Sequence, residues 1–168
     1  CWAVGRSTPS PTMSSFAGVA EVIGGHGLFN SLYTDRGSHY WHTPKAGGKV
    51  DRANLTQFGR AMVQLGIEMI PAYSPEARGR SERAFRTLQA RLPKELVDAA
   101  ITDVALANRF LKRRFVPAYN REFAVAAVES GSAFVPWIGT NLKDILCLQE
   151  ERSVRPDNCV AYGNKLLQ

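Results

Sequence analysis

Hydrophobic residues in the first third of the chain have helical spacing and then extended spacing. Apolar residues three and four positions apart predict a helix over residues 14–25, which ends at paired glycines. A short apolar run over residues 28–34 predicts a strand, and residues 35–37 are typical of its stop. Asp35 therefore follows the carboxyl end of a strand, where open α/β sheets bind ligands. An ordinary turn is the alternative interpretation of Asp35.

A second helix and a second strand follow a polar loop over residues 38–52. Asn54 is a favourable N-cap for a helix that Gly66 closes, and residues 67–72 are typical of a buried strand. The order helix, strand, helix, strand, helix predicts an α/β domain with at least one parallel strand pair. Two strands are too few to cover three helices. The remaining strands of the sheet therefore come from the N-terminal side, come from a partner, or are absent.

Residues 74–91 predict a turn that leads into a helix with one acidic residue among many basic ones. Apolar residues at 85, 88 and 92 form a stripe, and Glu82 lies at the seam between this stripe and solvent. The surrounding cations are Arg78, Arg80, Arg83, Arg86, Arg91 and Lys94. A carboxylate among guanidinium groups suits a site that handles a polyanion together with a metal ion. The alternative is a solvated helix on which Glu82 pairs with Arg86.

The second half of the chain predicts helices, then a linker, then short strands. Residues 94–101 and 102–115 are expected to be helical, and the second of these helices carries a basic face that is either a DNA track or a solvated surface. Residues 117–139 contain prolines and glycines that predict an extended linker. Short strand-like runs at 145–148, 152–154 and 158–162 predict the start of a small β-rich module over residues 140–168.

Composition and charge favour a polyanionic partner. The net charge is +6 and the pI is near 9.5, which indicates nucleic acid before membrane. No run of 18 apolar residues occurs that could cross a bilayer. The three cysteines, Cys1, Cys147 and Cys159, are too few and too widely spaced for a disulfide framework or a zinc site. Reduced thiols in a cytosolic protein are therefore expected.

The loop over residues 38–52 offers weak metal and DNA signals. His39 and His42 have His-x-x-His spacing without a third ligand, and packing of Tyr40 and Trp41 is the simpler interpretation. Aromatic faces together with nearby lysines could instead contact DNA. Residues 1–13 lack periodicity and are rich in Ser, Thr and Pro, which predicts a disordered or displaced start.

Two segments together resemble a known family. Residues 33–39 (Tyr-Thr-Asp-Arg-Gly-Ser-His) and residues 71–83, which end in Gly-Arg-Ser-Glu-Arg, resemble the second acid and the final glutamate of the DDE transposase and retroviral-type integrase superfamily. The loop over residues 42–48 and the tail from residue 151 resemble bacterial insertion-sequence transposases of the ISNCY-like group. The resemblance implies a partial RNase H-like core over residues 14–116, with its first strands missing, followed by the linker and the β-rich module.

The resemblance also implies site residues, a cofactor and partners. Asp35 and Glu82 would be catalytic carboxylates that hold Mg²⁺ or Mn²⁺ in a two-metal site, because hard cations prefer oxygen ligands. DNA phosphates would be contacted by Arg36, Lys45, Lys49, Arg78, Arg80, Arg83 and Arg86. The expected partners are transposon-end and target DNA, with a further copy or a full-length transposase, and no membrane. The expected location is the bacterial cytoplasm, at the nucleoid.

One departure from the family pattern affects the expected activity. The family's first catalytic Asp lies on an earlier strand, and no Asp precedes Asp35 in this chain. Two acids bind two metals poorly, so the sequence predicts a truncated or frame-shifted transposase that is inactive alone. The alternatives are a non-catalytic basic DNA-binding remnant, which would act as an inhibitor of a full-length transposase, and an unfolded translation product.

Overall fold

A computed structural model describes residues 10–45, 47–126 and 128–168, apart from the side chains of residues 75–78 and Arg80. Two compact units are present. The first contains the described residues up to Pro71 together with Ala133–Gln168, and the second contains Ala72–Ser132. Within the described ranges, no helix combines the length and hydrophobicity needed to cross a lipid bilayer.

Two capped helices of the first unit confirm the predicted helical segments. Helix α1, Pro11–His26, begins after Ser10, whose hydroxyl accepts a hydrogen bond from the Met13 N–H. Residues 11–13 are therefore helical and not the predicted disordered start, whereas residues 1–9 of that prediction lie outside the described residues. Helix α2, Gln57–Leu65, ends at Gly66, which has the left-handed conformation that favours glycine there.

The residue that caps helix α2 differs from the prediction. The Thr56 hydroxyl accepts the Gly59 N–H at 3.0 Å, so Thr56 is the N-cap and the prediction of Asn54 was wrong. The Asn54 amide instead donates to Asp51 Oδ2 at 2.6 Å. Because that carboxylate already holds the Asn54 side chain in the preceding loop, the next suitable hydroxyl caps the helix.

The two predicted strands form the expected parallel pair. Strand β1, Ser31–Thr34, pairs with strand β2, Glu68–Pro71, and within the described residues this sheet consists of these two strands. Strand β1 is shorter than the predicted run over residues 28–34. Leu28 instead forms an isolated antiparallel bridge with Val135. The mixed α/β class predicted from the element order is confirmed.

The hydrophobic core of the first unit lies between α1 and α2. Phe16 of α1 stacks on Phe58 of α2 with 5.8 Å between ring centroids, and Met62 is fully buried beside them. The other buried members are Val19, Ile23, Ala61, Leu65, Ile67 and Leu146. Each large side chain buried in this way stabilises the fold by roughly 1.5–3 kcal/mol.

The C-terminal part of the first unit contains less β-structure than predicted. A short helix, α6 (Leu142–Ile145), ends at the first residue of the predicted strand 145–148. Residues 146–148 and 152–154 lie outside any strand, so both strand predictions were wrong. The run at 145–148 packs on α2, where the Arg60 guanidinium donates to the carbonyls of Ile145 and Cys147. Only the last predicted strand is present, in an antiparallel hairpin of β3 (Val160–Tyr162) and β4 (Lys165–Leu167).

The second unit is helical and departs from the prediction in two places. Helix α3, Pro75–Asp98, continues through Pro93, where the sequence predicted a break. Strong helix formers on both sides offset the single backbone hydrogen bond that proline removes. Helix α4 (Val104–Phe110), a five-residue π turn (Leu111–Phe115) and helix α5 (Val116–Phe123) follow one another directly.

Residues 117–123 are therefore helical, and the prediction that they are extended was wrong. Pro117 is the second residue of α5 and comes directly after the π turn, and it has no N–H to donate there. The predicted apolar stripe of α3 is only partly buried: Phe85 is 57% exposed, whereas Leu88 and Leu92 are half-buried.

Candidate functional site

The carboxyl ends of β1 and β2 lie at the same edge of the parallel sheet. Thr34 is the register partner of Pro71, and each is the last residue of its strand. Asp35 directly follows Thr34 and is half-buried. The predicted position of Asp35 at a strand end is therefore confirmed. In open α/β sheets this edge is where ligands bind.

A tight turn fixes the Asp35 carboxylate. Asp35 Oδ1 accepts the Gly37 N–H at 2.9 Å, and the Gly37 carbonyl accepts the N–H groups of Tyr40 and Trp41 at 2.9 and 3.0 Å. A methyl group at position 37 would lie 2.9 Å from Asp35 Oδ1 and 3.0 Å from His39 Cε1. A larger residue here would therefore require the Asp35 and His39 side chains to shift.

A buried hydrogen bond joins this turn to the sheet. The Trp41 indole N–H donates to Thr34 Oγ1 at 2.8 Å, and both residues are buried. Tyr40 packs edge-on against Phe58 at 4.9 Å, and its hydroxyl lies 3.1 Å from Ser15 Oγ. The predicted packing of Tyr40 and Trp41 is confirmed, and it holds the residues around Asp35 against the core.

The outer part of the loop is fastened by Arg36 and Asp51. Arg36 Nη1 donates to the carbonyls of Gly48 at 2.9 Å and Gly47 at 3.3 Å. The Asp51 N–H donates to the His42 carbonyl at 2.7 Å. Hydrogen bonds from the Asn54 side chain, and from nearby backbone N–H groups, lower the pKa of the Asp51 carboxyl. Sequence patterns did not reveal these cross-loop contacts, because the partners are about ten residues apart and have no periodic signal.

The loop candidates for DNA contact are in different settings. The side chains of Lys45 and Lys49 are exposed. The Arg36 guanidinium is bonded to loop carbonyls, so this residue anchors the loop. Its contact with DNA stays a prediction, as do those of both lysines.

Glu82 lies on the outer surface of α3. Its side chain is exposed, and among the ion pairs between described side chains none joins Glu82 to Arg86. Arg83 and Arg86 are exposed too. The side chains of Arg78 and Arg80 lie outside the described residues. The exposed surface of the alternative interpretation is present, whereas its Glu82–Arg86 ion pair is not found among the described side chains.

Asp35 and Glu82 are of the residue type that binds hard divalent cations. Carboxylate oxygens are the donors that Mg²⁺ and Mn²⁺ prefer. The described residues contain no cluster of three or more His, Cys, Asp or Glu side chains that could hold a metal ion. The His39 ring instead packs against Tyr40 at a tilt of 42°, with 3.9 Å between ring centroids. Asp35 belongs to the first unit and Glu82 to the second, and their joint coordination of one cation stays a prediction.

Comparison with known proteins gives two relatives. Over 143 residues the chain is 37% identical to a Sinorhizobium fredii (strain NBRC 101917 / NGR234) protein named "Putative transposase y4bF". The aligned residues cover 83% of this chain and 30% of that protein. Over 113 residues the chain is 34% identical to the "Transposase for insertion sequence IS1202" of Streptococcus pneumoniae, covering 67% of this chain and 24% of that protein. The chain thus spans less than a third of either relative. No family model and no solved structure matches it.

Proposed function

The chain is related to bacterial insertion-sequence transposases, as residues 33–39 and 71–83 predicted, and from this relationship we propose that it carries part of their catalytic core. In this proposal the first unit and α3 are parts of an RNase H-like core of the DDE type. Asp35 and Glu82 are the second and third acids of its site. DNA is the substrate, and the site of action is the bacterial cytoplasm.

The observation that carries the proposal is the fixed position of Asp35 at the ligand-binding edge of the sheet. Its carboxylate follows a parallel strand directly, and the Gly37 N–H orients one of its oxygens at 2.9 Å. The Trp41–Thr34 hydrogen bond ties the turn to the sheet behind it. The hydrogen bond from the Gly37 N–H is that of an Asx turn, so the turn interpretation of Asp35 is also met, and the proposal adds a ligand role to this turn. A carboxylate that is oriented before a cation arrives loses little freedom on binding.

Glu82 supports the proposal through its exposure and its position in the chain. It lies seven residues after the start of α3, which is about 10 Å along a helix axis. Helix α3 begins four residues after β2 ends. An exposed carboxylate without an ion pair to Arg86 is available to a ligand.

A divalent cation held by such carboxylates supplies Lewis-acid stabilisation of phosphodiester oxygens when it is bound. Asp35 and Glu82 would each give an oxygen ligand. The described residues supply these two acids without completing a three-ligand cluster. The exposed cations Lys45, Lys49, Arg83 and Arg86, together with Arg78 and Arg80, would position the DNA through its phosphates.

Cation binding by the full chain tests the ligand assignment. Isothermal titration with Mn²⁺ is expected to show saturable binding that Asp35→Asn and Glu82→Gln each weaken by on the order of tenfold or more, because each change removes a charged oxygen ligand. Asp98→Asn is the matched control, since Asp98 is exposed on the same helix, about 24 Å farther along its axis. Equal Mn²⁺ affinity for the wild type and both site variants would refute the assignment.

A nicking assay on duplex DNA tests the role in cleavage. Any Mg²⁺-dependent nicking by the chain is expected to fall with Glu82→Gln and to persist with Asp98→Asn. Nicking that Glu82→Gln leaves unchanged would exclude the catalytic role of Glu82. Salt-dependent DNA binding without any response to Mn²⁺ would identify a non-catalytic DNA-binding module instead.

A further inference from the structure

We propose that one face of the second unit, formed by α4, the π turn and α5, binds the phosphate backbone of duplex DNA. This cationic face consists of Arg109, Lys112, Arg113, Arg114 and Arg121. The proposal rests on the proposed function for the choice of DNA as partner. It adds a second contact surface, far along the sequence from Asp35 and Glu82.

The charged residues of the segment that carries the cationic face are all basic. Residues 104–121 hold these five basic residues and no Asp or Glu. All five side chains are exposed. Among the described side chains, no ion pair involves Arg109, Arg113 or Arg114. Like charges on one helix repel one another, and a polyanion would relieve this repulsion.

The π turn gathers the charges on one side. Successive residues of a π turn are rotated by about 80–90°, less than the 100° of an α-helix, because its i→i+5 hydrogen bonds close a wider ring. Arg113 therefore lies nearly above Arg109 along the axis, with Lys112 and Arg114 on its two flanks. Phe115 lies on the opposite side, and it is 2% exposed.

Aromatic packing fixes the face opposite the charges. Phe115 stacks with Tyr119 at 6.3 Å between centroids, and Tyr119 contacts Phe123 at 4.7 Å. Arg91 of α3 lies 5.8 Å from the centre of the Phe123 ring and donates to Glu122 Oε2 at 2.7 Å. The Glu122 carboxylate raises the pKa of Arg91. Helix α3 therefore contacts the aromatic side of the segment formed by α4, the π turn and α5, and the cationic face remains exposed to solvent.

The dimensions of the face fit a nucleic-acid backbone. Eighteen helical residues extend about 27 Å. Along the axis of a duplex, this length spans roughly eight phosphates of one strand, which rise by about 3.4 Å each. Phe115 is buried on the side opposite the charges, and the five exposed cations lie toward solvent. Duplex DNA is therefore the partner that the charge and length favour.

Salt-dependent binding of the full chain to a short labelled duplex of arbitrary sequence tests the proposal. The double variant Arg113→Gln/Arg114→Gln is expected to reduce the magnitude of the slope of log affinity against log salt by about 2, with a loss of about ten- to a hundredfold in affinity near 0.1 M salt. The variant Arg113→Lys/Arg114→Lys retains the charges and is expected to retain the slope.

The control Arg152→Gln/Arg155→Gln removes the same charge from two arginines that pair with Glu150 and Asp157. It is expected to leave the slope close to the wild-type value. If Arg113→Gln/Arg114→Gln matches this control while the wild type still binds DNA, the cationic face is excluded and the proposed function stands. If the wild type binds phosphatidylserine vesicles and no DNA, both proposals fail. Mn²⁺ affinity is expected to be unchanged in every arginine variant, which separates this surface from the Asp35–Glu82 site.

Discussion

Replacing Thr34 by valine is expected to destabilise the first unit by removing the acceptor of a buried hydrogen bond. Thr34 is 7% exposed and Trp41 is 6% exposed, and their hydrogen bond is 2.8 Å long. Valine has nearly the shape of threonine and is favoured in strands, so the change removes the hydroxyl and little else. The Trp41 indole N–H would then be buried without a partner.

The magnitude follows from that unpaired donor. A buried polar group left without a hydrogen bond costs about 1–3 kcal/mol. For a chain of this length, about 2 kcal/mol corresponds to a fall of about 4–8 °C in Tm. The variant Thr34→Ser keeps the hydroxyl and loses one methyl group, which costs about 0.8 kcal/mol. Valine is therefore expected to be the more destabilising of the two substitutions.

Urea denaturation followed by far-UV circular dichroism measures the difference. Equal m-values among the wild type, Thr34→Val and Thr34→Ser would allow the free energies of unfolding to be compared directly. A Thr34→Val protein as stable as Thr34→Ser would refute the role assigned to the Trp41–Thr34 bond. It would also remove the argument that the residues around Asp35 are tied to the sheet.

Two further predictions concern the turn and the loop near Asp35. Gly37→Ala is expected to displace the Asp35 carboxylate, because the new methyl group would lie 2.9 Å from Oδ1. Gly18→Ala is the control, since no atom lies within 4 Å of its added methyl group, and it is expected to stabilise α1 by about 0.5–1 kcal/mol. A crystal structure of Gly37→Ala with Asp35 unmoved would contradict this reasoning. The Asn54 side chain lowers the pKa of Asp51 in the folded state, so the stabilising contribution of Asp51 is expected to be present at neutral pH and lost as the pH falls below about 4. Unfolding measured against pH should therefore show a weaker acid dependence in Asp51→Asn than in the wild type, and identical profiles would contradict it.

Local sequence signals determined the elements of the first unit. Apolar spacing identified α1 and α2, extended apolar runs identified β1 and β2, and Gly66 marked the end of α2. These signals succeed because helix and strand periodicity, and the left-handed conformation of a glycine cap, depend on residues close in the chain. The position of Asp35 at a strand end follows from the same local information.

Tertiary contacts decided what local signals left open. The run at 145–148 has the composition of a strand, but hydrogen bonds from Arg60 of α2 to the carbonyls of Ile145 and Cys147 hold it outside any sheet. The α-helix through Pro93 and the π turn at 111–115 have no distinct sequence pattern. The turn that orients Asp35 depends on Trp41 reaching Thr34 seven residues away in the chain. Sequence alone therefore determined the helices and strands that depend on neighbouring residues. Packing between residues farther apart in the chain decided how the Asp35 carboxylate is held.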